Sequence, residues 1–126
     1  MPPIRGHHYT RKQIAAMHGG GTVEYLPNVD GLVVCACLRT DPDYDPEAPR
    51  IILPGRGPER EHWAAALCNQ GGAIPVYLKR AVNNWQYVGN YEVERWSDSP
   101  DKITHYEAQT GRPVTRVIWM REVKGA

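Results

Sequence analysis

Residues 73–96, AIPVYLKRAVNNWQYVGNYEVERW, decide the fold. Ile74, Val76 and Leu78 alternate with polar or amphipathic neighbours, Asn83-Asn84 interrupts the pattern, and Trp85, Tyr87, Tyr91 and Val93 resume it on one parity. This is the pattern of a β-hairpin. Asn tolerates the left-handed backbone of a tight turn, so the turn centre is expected at Asn83-Asn84. Gly89 interrupts the second strand where a bulge or the close approach of another backbone fits. Without a bulge Trp85, Tyr87 and Tyr91 share one face, whereas a bulge at Gly89 redirects Tyr91. That aromatic face is either core or a platform for a flat ligand.

Upstream, Met1–Gly6 reads as an extended lead-in. Thr10 with Gln13 makes a capping box that opens a helix over TRKQIAAMH, with Ile14 and Met17 inward and Gly19-Gly20-Gly21 ending it. Thr22–Leu26 alternates as a strand, and Pro27–Gly31 reads as a turn. The apolar run Leu32–Leu38 predicts a strand buried on both faces, the candidate centre of the sheet. Thr40–Pro49, TDPDYDPEAP, holds three prolines and four acids and must be a loop. Arg50–Leu53 is a short strand and Pro54–Gly57 a turn. Pro58 then starts a helix favoured by Glu59 and Glu61 near its positive end, with Trp63, Ala66, Leu67 and Gln70 at helical spacing until Gly71-Gly72. Beyond the hairpin, Asp98 or Ser99 caps a helix from Pro100 to Thr110, closed by Gly111, and Val114–Glu122 is a last strand. The expected fold is α+β: a small, mostly antiparallel sheet of about six strands, curled or closed into a barrel, with three short flanking helices in one domain over residues 1–126.

The 126 residues suffice for a core without disulfides or metals. There is no Phe, and four Trp and seven Tyr supply all the aromatic surface, residues that join a flat apolar body to a polar tip. Net charge is +1, but Arg5, Arg11 and Lys12 stand without acids near the N-terminus, and four basic residues face only Glu122 between Arg112 and Lys124. If both ends lie on one side, phosphate is the natural partner of that surface. Three cysteines make no disulfide framework, and no run is long enough to span a bilayer, so an intracellular, reduced setting is expected, without a membrane partner.

Chemistry-bearing residues are sparse. His7, His8, His18, His62, Cys35, Cys37 and Cys68 lack the spacing of a zinc site, and the acids of the loop lack the glycine and distant Glu of a calcium loop. Neither metal nor cofactor is expected. No nucleophile motif occurs, and no catalytic residue is assigned. Gly55-Arg56-Gly57 before a helix is a candidate anion cradle or a plain turn. The aromatic set says more: Tyr25, Trp63, Trp85, Tyr87 and Tyr91 can converge on a pocket that stacks a flat heterocycle, with the Asn69 carboxamide reading a base edge.

The order of these features resembles the SRA-like modified-base-sensing domains found at the N-terminus of bacterial HNH restriction endonucleases. The resemblance is carried by His8-Tyr9-Thr10-Arg11 through Ile14, the Gly19-Gly20 pair, the buried strand, the glycine-marked turn before the helix bearing Asn69, and Pro75-Val76 through Tyr87-Val88-Gly89-Asn90-Tyr91-Glu92-Val93. It implies a PUA-like barrel that flips a modified base out of duplex DNA into an aromatic pocket. Residues 51–60, IILPGRGPER, depart from the tyrosine and acids usual there, which implies a reshaped pocket, another modification or no pocket. No nuclease motif is present, so a reader without its cutter is expected, with a nuclease domain or subunit as a possible associate.

The expected function is non-catalytic reading of modified bases in double-stranded DNA. Tyr25, Trp63, Asn69, Trp85, Tyr87 and Tyr91 line the pocket in this reading. Arg5, Arg11, Lys12 and Arg56 contact phosphates, with Arg112 and Arg116 as second choices. An RNA-binding PUA-like module, a small hydrolase or nuclease using His7, His8 and the acidic loop, and a protein-interaction domain are the alternatives.

Overall fold

A computed structural model of the protein describes residues 2–124, which leaves Met1 of the lead-in and the last two residues of the expected domain outside. The strands are β1 (His8–Tyr9), β2 (Asn28–Val29), β3 (Leu32–Val33), β4 (Ala36–Leu38), β5 (Ile51–Ile52), β6 (Ile74–Ala81), β7 (Asn84–Ser97) and β8 (Val117–Glu122). The helices are α1 (Arg11–His18), α2 (Pro58–Gln70) and α3 (Pro100–Thr110). β4-β6-β7-β8-β5 form one sheet, extended by β1 on β7, and β2-β3 pair separately. The fold is α+β. The sheet is mixed, since β4 and β6 run parallel while the other pairs are antiparallel. It does not close into the barrel that was one of the two expected forms.

The three helices form where their caps stand. Thr10 and Gln13 make the reciprocal capping box on α1, Pro58 opens α2, and Gly111 ends α3 in the left-handed conformation. Each helix covers one apolar cluster. Ala64 and Leu67 of α2 pack over Ile74, Val76 and Leu78 of β6, and Ile14 of α1 packs with Tyr77, Trp85 and Tyr87. Tyr106 of α3 packs on Ile51, Leu53, Val114 and Val117.

β6 and β7 form the long hairpin. The register steps from Val76↔Gly89 to Tyr77↔Tyr87, so Val88 is the extra residue of a bulge beside Gly89, whose φ is +128°. The bulge redirects the aromatic parity as anticipated: Trp85 and Tyr87 join the α1 cluster, while Tyr91 turns to the α2 cluster. The turn sits one residue earlier than expected, on Val82-Asn83, because Asn83 takes the left-handed conformation at φ +48° while Asn84 already pairs with Ala81.

Three strand expectations are corrected. Leu32–Leu38 is not one strand but β3 and β4, broken at Val34-Cys35, and β4 lies at an edge of the main sheet. It is nonetheless buried, because the preceding chain runs along its outer side. Cys37 N–H donates to the Tyr25 carbonyl at 2.8 Å and Val34 N–H to the Pro27 carbonyl at 2.9 Å. For the same reason Thr22–Leu26 is not a strand: it gives isolated backbone bonds to that edge, and the Glu24 carbonyl is taken by Arg11 Nη2 at 2.8 Å. The last strand starts at Val117 rather than Val114, after Thr115 N–H has bonded to Pro54.

Candidate functional site

The two edges of the open sheet face one cavity. Cys37 of β4, at one end of the strand order, lines it together with Leu53 and Pro54, which follow β5 at the other end. Its volume is about 930 Å³. Trp63, Glu59 and Arg60 of α2 form one wall, and the acidic loop contributes Tyr44 and Asp45.

Three of the six expected pocket residues meet here: Tyr25, Trp63 and Trp85. Tyr25 is half-buried and its hydroxyl donates to the Arg60 carbonyl at 3.0 Å. Trp63 Nε1 donates to Glu59 Oε2 at 3.3 Å, which steadies the ring on the α2 surface. Trp85 is buried beneath two cations, Arg11 at 5.1 Å and Lys79 at 5.9 Å from its ring centroid. Asn69 is exposed near the C-terminal end of α2 and does not line the cavity, because the helix phase that turns Trp63 inward turns Asn69 out. Tyr87 and Tyr91 are core residues on either side of the bulge; the Tyr87 hydroxyl donates to Asn90 Oδ1 at 2.7 Å.

The expected phosphate contacts divide in the same way. Arg56 is exposed on the rim. Lys12 is exposed outside the cavity, Arg5 pairs with Glu122, and Arg116 lies over the Trp96 ring at 4.2 Å and is not one of the residues that line the cavity. Arg11 is buried inside the cavity wall, out of reach of a duplex backbone on the surface. Arg112 is a clamp: its Nε donates to the Asp43 carbonyl at 2.7 Å, and Nη2 donates to those of Tyr44 at 2.6 Å and Leu53 at 2.8 Å.

That clamp orders the acidic, proline-rich loop over 40–49, and it positions a residue the sequence did not single out. Asp45 is the one buried acid of the described residues, at 7% exposure. Its Oδ1 accepts the Leu53 N–H at 2.7 Å. Burial pushes its carboxyl up to about 6, against the opposing pull of the Leu53 N–H and of Arg112. Near neutrality a carboxyl held there accepts from an amino group, and when protonated it donates as well. Tyr44 beside it is exposed, with the Arg39 guanidinium 4.0 Å over its ring. No local signal separates Asp45 from Asp41 and Asp43; only the route of the loop does.

The cavity therefore combines flat aromatic walls, a buried carboxyl and several cations, which suits a planar, polar heterocycle. Among the described residues no cluster of three or more His, Cys, Asp or Glu is placed to hold a metal ion, and no helix is long and apolar enough to cross a membrane.

The family model described as "Domain of unknown function (DUF6697)" matches residues 8–126. No curated protein sequence matches. Among solved structures, the chain is similar to the SRA domain of SUVH5 in its complex with hemimethylated CG DNA, with TM-score 0.65 at 13% identity over 99% of this chain and 92% of that one. It is also similar to the type IV phosphorothioation-dependent restriction endonuclease ScoMcrA, with TM-score 0.55 at 17% identity over 99% of this chain and 29% of that one. The sulfur-binding and SRA domains of ScoMcrA complexed with phosphorothioated DNA align with TM-score 0.53 at 19% identity, over 95% and 39% of the two chains. At these identities the likeness is one of fold: the chain has an SRA-like architecture.

Proposed function

The chain belongs to the DUF6697 family, and we propose that it is a non-catalytic reader of modified bases in double-stranded DNA, built as a single domain over residues 1–126. The observation that carries this reading is the cavity at the open edge of the sheet, where Tyr25, Trp63 and Trp85 meet the buried Asp45 carboxyl. A base turned out of the duplex is a flat heterocycle whose unpaired edge must find new partners. Tyr25 and Trp63 offer faces for stacking, each stacked face contributing on the order of 1–3 kcal/mol. Asp45 accepts the exocyclic amino group of a cytosine, an edge that duplex pairing otherwise hides.

Phosphate contacts fall to the exposed cations of the rim, Arg56 and Arg60, with Lys12 and Arg5 as further candidates outside it. The structures that share the fold and hold modified DNA support this partner. Cutting, where it accompanies reading, would come from a nuclease domain or subunit, and an intracellular setting follows from the DNA partner.

Binding of the purified chain to matched duplexes with a central cytosine, 5-methylcytosine, 5-hydroxymethylcytosine or N6-methyladenine, at two salt concentrations, tests the reading. The expected result is preference for one modified duplex, lost in Asp45→Ala and Trp63→Ala, with affinity falling as salt rises. Equal binding of all duplexes, or stronger binding of an RNA of the same sequence, overturns it.

A further inference from the structure

The cavity is larger than a base needs and is unevenly charged. At about 930 Å³ it lies near the top of the range that encloses a drug-sized ligand, of roughly 300–1,000 Å³. The aromatic and carboxyl groups that suit a base, Tyr25, Trp63 and Asp45, account for one part of the lining. Arg11, Lys79, Trp85, Asn83 and Cys37 form another.

That second part holds two cations without acid partners. Neither Arg11 nor Lys79 makes an ion pair among the described residues, although both approach the same Trp85 ring. Arg11 is 8% exposed, and its Nη2 is spent on the Glu24 carbonyl. Its Nε is the one buried side-chain nitrogen or oxygen of the described residues with no hydrogen-bond partner. Glu24 also lines the cavity, but its carboxylate reaches back to the Val23 N–H at 3.3 Å. A buried guanidinium without a carboxylate is costly to keep, and an orphaned donor on it adds to the cost. An acid entering with the ligand supplies the missing counter-charge and removes the larger of these costs.

We propose that the Arg11–Lys79 side of the cavity receives an acidic substituent on the bound base, so that the ligand class is a base carrying a carboxylate rather than a methyl group alone. This rests on the base-reading function proposed above. The carboxylate pairs with the Arg11 guanidinium where it lines the cavity and lies within the field of Lys79, while the base stacks between Tyr25 and Trp63. A neutral methyl in the same place leaves Arg11 unsatisfied.

The test is fluorescence anisotropy of the full chain with four duplexes that differ only in one base: cytosine, 5-methylcytosine, 5-hydroxymethylcytosine and 5-carboxylcytosine. Arg11→Met, Arg11→Lys and Lys79→Met variants run alongside, with melting temperatures to check that each folds. The carboxyl duplex should bind ~10-fold or more tightly than the methyl duplex, as one charge-assisted bond provides. The preference should vanish in Arg11→Met and shrink in Arg11→Lys and Lys79→Met. If Arg11→Met does not fold, a reduced preference in both Arg11→Lys and Lys79→Met decides. Equal affinity for carboxyl and methyl duplexes, or a carboxyl preference that survives the variants, overturns the proposal. The base-reading function stands in that case, provided methyl or hydroxymethyl is still preferred over cytosine. Equal binding of all four duplexes sinks both.

Discussion

Arg112 Nη2 stands 3.8 Å from Asp45 Oδ1, too far for a hydrogen bond, while the same nitrogen donates to the Tyr44 and Leu53 carbonyls at 2.6 and 2.8 Å. Arg112 therefore holds the backbone on both sides of Asp45 and acts on the carboxylate only through its field. A side chain on the turn after α3 thus sets the position of an acid in a loop 67 residues earlier, 112 minus 45.

Arg112→Met should loosen the acidic loop from the end of β5. Several charge-assisted bonds to carbonyls are lost together, so unfolding stability should fall by on the order of 2–4 kcal/mol, with Arg112→Lys intermediate. A urea titration measures this. An unchanged midpoint would show that the loop is held by its own turns.

Asp45 gives the protein a pH signature. Its carboxyl lies near 3.8 in the unfolded chain and is raised to about 6 by burial, so between these values the folded state binds the proton that the unfolded state has released. Stability contributed by this group consequently falls as pH rises from about 4 to about 6, by on the order of 3 kcal/mol, and stays lost above that. Asp45→Asn cannot ionise, so its melting temperature should vary less with pH across this window. Parallel profiles for the two proteins would remove Asp45 as the cause.

Trp63 and Tyr87 should separate binding from folding. Trp63 lies on the cavity wall and packs only partly buried on the α2 cluster, and Trp63→Ala should weaken binding to a preferred duplex by about 1–3 kcal/mol, with a smaller loss of stability than Tyr87→Ala. Tyr87 is packed in the α1 cluster, and Tyr87→Ala should cost about 3–5 kcal/mol of stability. A Trp63→Ala protein that unfolds easily yet binds normally when folded would reverse these roles.

Gly89 is needed for its backbone. At φ +128° a Cβ is strained, and here it would come within 2.9 Å of Glu122 Oε2. Gly89→Ala should destabilise by on the order of 1–3 kcal/mol. Adding Glu122→Ala should relieve the contact but not the dihedral strain, giving partial recovery in thermal denaturation. Full recovery would mean that the side-chain contact alone carried the effect.

The local determinants of this fold are legible because they act over three or four residues. The Thr10-Gln13 capping box, Pro58, Gly111 and the β6–β7 alternation each specify a short conformation by hydrogen bonding or sterics, and each forms. Gly89 announces its bulge for the same reason. The edge position of β4 was not legible, since an apolar run records burial and not which neighbour provides it.

For the site, the residue types point to an aromatic pocket, and Tyr25, Trp63 and Trp85 do converge. Tyr87 and Tyr91 carry the same chemistry but lie in the core, because a one-residue bulge and the packing of α1 and α2 decide which faces are covered. Arg11, Asp45 and Arg112 owe their roles wholly to tertiary structure. Their meeting depends on segments beside both ends of the strand order that line one cavity, and on a clamp between segments far apart in the chain. By itself the sequence determined the helices, the hairpin and the α+β class. Long-range packing decided which charges are buried, and burial is what turns an ordinary carboxylate or guanidinium into a group that needs a ligand.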